Sequence, residues 1–229
     1  MIKNVLFDLD DTLFDFHKAE RNALKKTLLK LGITPTEELL SRYSEINLAQ
    51  WKLLEKGLLT RAEVKTRRYF ILFKEFGIDA SETDAAKYYE NFLSIGHIFI
   101  PGAEELIKNL YGRYRLYIVS NGTAVVQDGR LKSSGIAKYF DGIFISEKIG
   151  FNKPDKEFFD VCFSKIPDFS EKETVIVGDS LTSDIAGGKN VGIITIWFNG
   201  GHNINDGDIV PDYEIFSLSD VQSIIESVV

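Results

Sequence analysis

Apolar positions follow two different rhythms along the 229-residue chain. Between about residues 15 and 98 they recur three and four places apart, the spacing of one face of a helix. Ala19, Ala23, Leu24, Thr27, Leu28 and Leu31 mark a first helix that Gly32 stops. Thr34-Pro35-Thr36-Glu37 predicts a capping box with Pro at the first helical position. The helix it opens runs through Leu39, Tyr43, Ile46, Asn47 and Trp51 to about Gly57. Thr60-Arg61-Ala62-Glu63 predicts a second box, with a helix through Val64, Phe70 and Phe73 to Gly77. Ser81-Glu82-Thr83-Asp84 opens a fourth helix that ends near Ser94. No strand pattern interrupts these four.

On either side the rhythm is that of strands. Val5-Leu6-Phe7 reads as a short strand buried on both faces, as in a parallel sheet. From Pro101 onward helices alternate with apolar runs: helix 103–111, strand 116–120, a helix closed by Gly135, strand 143–146, helix 156–165, and a strand from residue 174. The strand at 174 extends through Asp179, and helix 183–190, strand 193–197, a weak strand near Tyr213 and a terminal helix from Ser219 complete the series. Such alternation predicts right-handed crossovers and a doubly wound parallel sheet. The expected architecture is an α/β core, residues 1–14 and 99–229, carrying an inserted all-helical cap, residues 15–98. Hinges are expected at residues 14–17 and 98–102.

Composition narrows the class without deciding it. A net charge of −7 argues against binding a nucleic acid polymer, which needs a basic face. The single cysteine, Cys162, lies among Phe158, Phe159, Val161 and Phe163, so it reads as core and cannot form an internal disulfide. No apolar run reaches the length of a membrane span, and charges arrive too early for a secretory leader. The expectation is a reduced, soluble, cytoplasmic protein with no membrane partner. Nothing in the sequence speaks to oligomeric state.

Chemistry gathers where the strands end. The first strand runs into Asp8-Leu9-Asp10-Asp11-Thr12, and alternate residues of an extended segment face the same way, so Asp8 and Asp10 share one side. The second strand ends at Ser120-Asn121, the third is followed by Lys153-Pro154, and the fourth ends at Gly178-Asp179-Ser180 with Asp184 beyond. Taken singly, these suit turns, a solvated lysine and helix caps. Open α/β sheets bind ligands outside the carboxyl ends of their strands, however, and this shared placement favours one crevice. Close carboxylates repel one another and call for a divalent cation or a shared proton. Carboxylates, a hydroxyl and an ammonium together suit phosphoryl transfer, in which a carboxylate attacks phosphorus, a second carboxyl shuttles the proton, and Mg²⁺ offsets the charge.

These four segments, in this order, resemble the motifs of the haloacid dehalogenase superfamily, and the helical insertion after the first is similar to the capped branch of that family. The resemblance implies Asp8 as nucleophile, Asp10 as general acid/base, and Ser120 and Lys153 as phosphate binders, with Thr12 and Asn121 also on the phosphate or substrate and Asn121 supporting the phosphate loop. It further implies that Asp8, the Asp10 carbonyl and Asp179 hold Mg²⁺, with Asp184 assisting. Asp10 argues against a dehalogenase. A phosphatase acting on a small phosphomonoester is the expected activity, and a phosphomutase or a non-catalytic metal-binding module stays open.

Specificity is expected from the cap. Phe16 and His17 follow the nucleophile loop, and Tyr43, Asn47 and Trp51 recur at spacings of four on one helix. Aromatic faces with an amide between them suit a planar base, although helix packing explains the aromatics equally. Asn47, Trp51 and Gly57, together with Ile145-Ser146-Glu147-Lys148-Ile149-Gly150 and Trp197-Phe198-Asn199-Gly200-Gly201-His202, resemble the pyrimidine 5′-nucleotidase (YjjG-like) branch. That resemblance implies nucleoside monophosphates as substrates, with a sugar-phosphate or phosphoglycolate-type phosphatase as the alternative. Arg61, Lys65, Arg67 and Arg68 read as a solvated helix face. His97 is expected at the return from cap to core, and His202 near the strand ends.

Overall fold

The computed structural model describes residues 1–205 and 207–228. Its frame is a six-stranded, fully parallel sheet: β1 (Asn4–Phe7), β2 (Arg115–Ser120), β3 (Gly142–Ile145), β4 (Thr174–Gly178), β5 (Ile194–Phe198) and β6 (Tyr213–Ile215). The spatial order is β3-β2-β1-β4-β5-β6, with Val5 level with Leu116 on one side and Val175 on the other. The chain therefore builds outward from β1 in one direction, then returns to build the other half from β4. That reversal opens a crevice at the carboxyl end of β1, where doubly wound sheets place their ligands.

β1 is apolar on both faces because both are covered. Val5 and Phe7 join a core with Leu106, Leu110, Leu131 and Val221, while Leu6 points into a second with Phe158, Phe159 and Cys162. The first layer is α5 (Ala103–Leu110), α6 (Ala124–Ser134) and α10 (Val221–Ser227), and the second is formed largely by α8 (Lys156–Phe163). Cys162 is fully buried, as its apolar neighbours predict.

Between β1 and α5 stand four helices: α1 (Phe16–Lys30), α2 (Glu37–Glu55), α3 (Arg61–Phe76) and α4 (Glu82–Leu93). α1 lies along α4 and α2 along α3, and they enclose a core of their own around Leu24, Leu28, Leu40, Tyr43, Tyr69, Leu72 and Tyr89. Burial of each such side chain contributes roughly 1.5–3 kcal/mol, so the segment carries the apolar content of an independent packing unit. Chain enters and leaves it through two short runs that pair antiparallel at Phe14 and Phe99, with Asp15 N donating to Ile98 O (2.8 Å) and Ile100 N to Leu13 O (3.0 Å).

Three local expectations are corrected. Thr36, not Thr34, caps α2 by accepting from Leu39 N (3.2 Å), so Pro35 precedes the helix. Glu37 and Glu38 then occupy the first turn, where the helix dipole favours them. Phe16 is already helical because Asp15 caps α1 by accepting from Lys18 N (2.9 Å). Ahead of α9 (Ala186–Asn190), the predicted helix begins as a wider π turn, Leu181–Ile185. The Thr60–Glu63 box forms as its spacing predicts.

Candidate active site

Where β1 ends the chain stays extended for one more residue, Asp8 N donating to Val177 O (2.9 Å). This carries the Asp8 side chain to the mouth of the crevice while leaving it 7% exposed. Lys153 arrives from the loop before α8, just ahead of a cis bond to Pro154, and is buried. Its ammonium spends all three donors, on Asp8 Oδ1 (2.6 Å), Asp184 Oδ1 (2.6 Å) and Val119 O (2.7 Å). Gly178 allows the second carboxylate this close, for a Cβ there would stand 2.3 Å from Asp184 Oδ2. Asp179 completes the cluster, its Oδ1 accepting from the buried Thr12 hydroxyl (3.2 Å).

One ammonium cannot balance three carboxylates. Loss of water raises the Asp8 carboxyl above its ordinary range, Lys153 opposes the rise, and Asp184 and Asp10 add to it. Asp179 is raised well above its usual value, first by desolvation and then by Asp8 and Asp184. Desolvation works against the charge on Lys153, yet Asp184 and Asp8 hold its ammonium above normal. Oxygens of Asp8, Asp179 and Asp184 lie within 4.8 Å of one another. A compact, under-neutralised set of hard oxygen donors fits a divalent cation such as Mg²⁺.

Asp10 faces the same crevice but is bound by α6. Gln127 Nε2 donates to Asp10 Oδ2 (2.6 Å) and to Ser120 Oγ (2.9 Å), and the guanidinium of Arg130 pairs with Asp10 Oδ1. A Cβ at residue 122 would meet the Gln127 side chain at 2.2 Å, so Gly122 makes room for that contact. Gly122 N donates to Ser120 Oγ (3.1 Å). Asn121 ties this loop to the lysine, its Nδ2 donating to Lys153 O (2.9 Å) and its Oδ1 accepting from Lys153 N (2.8 Å). Gln127 and Arg130 are neighbours of Asp10 that sequence reasoning passed over. Their signal is three-residue spacing on the helix that follows Ser120.

One cavity of about 320 Å³ runs from Asp8, Ser120 and Lys153 to the helical segment above. Phe16, His17, Asn47 and Trp51 line it, as does Glu20. Tyr43 does not. It is fully buried, its hydroxyl 2.9 Å from that of Tyr69, because one turn of helix from Asn47 already points into the α2–α3 interior. The expected solvated face of α3 is also corrected. Arg61 reaches down to the core, donating to Asn121 O (2.9 Å), Gly122 O (3.1 Å), Ser146 Oγ (2.7 Å) and Asn152 Oδ1 (2.7 Å). Arg68 is buried among Tyr43, Tyr69 and Tyr89 and donates to Asn47 Oδ1 (2.8 Å). Val64-Arg68-Leu72 and Glu20-Ala23-Leu24-Thr27 show that each charge sits inside an apolar stripe. His97 Nδ1 lies 2.8 Å from Ser133 Oγ at the return to the core. His202 is exposed, stacked on Phe216 and away from the cavity.

The chain is similar to known proteins. A family model for haloacid dehalogenase-like hydrolases matches residues 5–198. The chain is 42% identical over 223 residues to the HAD-hydrolase YfnB of Bacillus subtilis (strain 168), covering 97% of this chain and 95% of that protein. It is 39% identical over 220 residues to the pyrimidine 5′-nucleotidase PynA of Streptococcus pneumoniae (strain ATCC BAA-255 / R6), covering 96% and 93%. A crystal structure of YfnB bound to magnesium superposes with a TM-score of 0.93 over 98% of both chains. No helix among the described residues is long and apolar enough to cross a membrane.

Proposed function

The chain belongs to the haloacid dehalogenase-like hydrolases, and from that premise we propose that it is a Mg²⁺-dependent phosphomonoester hydrolase acting on nucleoside 5′-monophosphates through an aspartyl phosphate. The observation that carries this reading is the buried Asp8–Lys153–Asp184 contact set at the carboxyl end of β1, with Asp10 and Ser120 in the same cavity. Asp8 attacks phosphorus, the bond to the ester oxygen breaks, and Asp10 gives that oxygen its proton. Asp10 then takes a proton from water, which attacks the same phosphorus, breaks the bond to Asp8 and releases phosphate. Lys153 and the Ser120 hydroxyl face the charge that develops on the phosphoryl oxygens. Gln127, bonded to both Asp10 and Ser120, fixes the spacing between proton carrier and phosphate binder.

Asp8, Asp179 and Asp184 would hold the Mg²⁺, with the Asp10 carbonyl beside them. When bound, the ion neutralises charge on the phosphate and on the carboxylates around it.

Two facts support nucleotides over smaller esters. PynA, a pyrimidine 5′-nucleotidase, is related along nearly the whole chain. The cavity also extends beyond the carboxylates to the ring of Trp51. Phosphate release from a panel of nucleoside monophosphates and sugar phosphates, with and without Mg²⁺, tests the reading, with Asp8→Asn as control. Preference for pyrimidine nucleotides is the expected result. Preference for small sugar or acid phosphates would keep the core mechanism and overturn the substrate, and turnover by Asp8→Asn would overturn the mechanism.

A further inference from the structure

Three polar side chains from three helices meet at the cavity end remote from Asp8. Glu20, Asn47 and Arg68 are 2%, 2% and 3% exposed, yet all three line the cavity. A pair that served stability alone would close directly, carboxylate on guanidinium. Here an amide stands between them. Arg68 Nη1 donates to Asn47 Oδ1 (2.8 Å), and Asn47 Nδ2 donates to Glu20 Oε1 (2.6 Å). Ser44 Oγ donates to the other oxygen of Glu20.

The hydrogen-bond inventory shows what is left over. Asn47 has spent one donor and its acceptor within the cluster, so it is not the free amide that its position suggested. Glu20 accepts one bond on each oxygen and keeps further lone pairs. Arg68 uses Nε on Lys65 O (3.3 Å) and Nη1 on Asn47, and its Nη2 has no partner among the described residues. The guanidinium is pinned 4.6 Å over the Tyr89 ring, so it is held in place rather than waving in solvent. The cavity thus presents an acceptor-only group and a donor-only group, one amide apart, both dry and both fixed.

A ligand satisfies both at once if it is planar and carries a donor beside an acceptor. A sugar hydroxyl is donor and acceptor on one atom and does not need the pair. The imide edge of uracil or thymine, an acidic N–H next to a carbonyl, matches it best, because a carboxylate gains most from an acidic donor. Trp51, on the same cavity wall and itself backed by Arg61 (5.5 Å), offers an apolar face for the ring.

We propose that Glu20 and Arg68 are the base-reading pair of this cavity, Glu20 accepting from the imide N–H and Arg68 donating to the adjacent carbonyl of a pyrimidine nucleotide. The assignment rests on the nucleotidase reading given above. It makes Glu20 and Arg68, rather than Tyr43 and Asn47, the specificity determinants.

The test compares kcat/KM for dUMP, its N3-methyl derivative, deoxyribose 5-phosphate and p-nitrophenyl phosphate in the full-length protein with Mg²⁺. For the unaltered enzyme, dUMP should exceed the N3-methyl derivative and deoxyribose 5-phosphate about tenfold or more, the effect of stranding a buried charged partner. Glu20→Leu and Arg68→Met should bring the three substrates within about threefold of one another. If the unaltered enzyme turns over dUMP and its N3-methyl derivative equally, the base-reading pair is overturned without recourse to any variant. Variants that retain the full preference for dUMP overturn it as well. If the unaltered enzyme hydrolyses p-nitrophenyl phosphate but does not prefer dUMP to deoxyribose 5-phosphate, the nucleotidase reading falls first and the pair with it.

Discussion

Arg61 is where the helical segment holds the core, and its removal has a size that can be worked out. Its guanidinium makes four hydrogen bonds across the cavity mouth, two to the carbonyls of the loop that follows Ser120 and two to Ser146 and Asn152. A buried hydrogen bond to a charged group contributes roughly 1.5–3 kcal/mol. Water replaces part of that when the segment swings away, so about 1 kcal/mol each is the fair figure, or about 3–4 kcal/mol for the set. Desolvation already lowers the affinity of Arg61 for its proton, in keeping with a group held out of water. A loss of about 3 kcal/mol shifts an open–closed equilibrium by a factor on the order of 100. Arg61→Ala should therefore raise KM for nucleotides by one to two orders of magnitude, and limited proteolysis should cut faster at the paired runs near Phe14 and Phe99. Arg61→Lys restores the charge but not the planar fork, and should recover only part of the loss. An Arg61→Ala enzyme with unchanged KM and unchanged proteolysis would refute the view that these bonds hold the segment closed.

Other consequences can be checked separately. Asp8→Asn should lower phosphate release about 10³-fold or more while the fold persists by circular dichroism. Lys153→Met strands two buried carboxylates and should cost about 3–5 kcal/mol, read as a melting temperature lower by about 10 °C and partly recovered by Mg²⁺. Tyr43→Phe removes only the hydroxyl pair with Tyr69, so stability should fall by about 1 kcal/mol with substrate preference unchanged. Burial pushes the Cys162 thiol from an ordinary 9.0 up to about 12. The folded thiol is therefore the weaker acid, and its contribution of about 4 kcal/mol is complete below pH 9 and lost as pH climbs toward 12. Denaturant unfolding of wild type against Cys162→Ala isolates that slope, and parallel curves from pH 8 to 12 would refute it.

The strand-end chemistry was legible because it depends on local order. A strand must end, Asp8 must lie just past its end, and parallel neighbours bring Ser120, Lys153 and Asp179 alongside. The four helices were legible for a similar reason, each announced by its spacing and most by a cap. What stayed hidden depends on which face of a helix meets which neighbour. Asn47 and Tyr43 sit one turn apart and look alike to a periodicity argument, yet one lines the cavity and the other is interior. Arg61 and Arg68 sit seven residues apart among other basic residues. Only tertiary packing separates the one that crosses to the core from the one sealed among three tyrosines. Gln127 and Arg130 bear no mark of their role until α6 is laid beside Asp10.

The connection between the two halves of the molecule runs through the same few residues as the chemistry. Asp11 adopts a left-handed conformation (φ 58°) that turns the chain directly after Asp10, and its carboxylate accepts from Phe16 N (2.8 Å) at the start of α1. The outgoing connection is thus bonded to the residue beside Asp10. The return connection reaches Asp10 from the other side: Arg130 donates to Gly96 O (2.9 Å), pairs with Asp10, and lies 5.1 Å from the ring of Phe14. A displacement of α1 or of the Gly96 turn must therefore be felt at Asp10, the side chain proposed to carry the proton in both half-reactions. Among the described residues Asp8 makes no such tie: Lys153 and the backbone bond to Val177 O hold it at the sheet. In the proposed reaction the nucleophile is thus fixed to the sheet and the proton carrier to the joint. On that proposal, motion of the helical segment adjusts proton transfer at Asp10 without moving the Asp8 oxygen that attacks phosphorus.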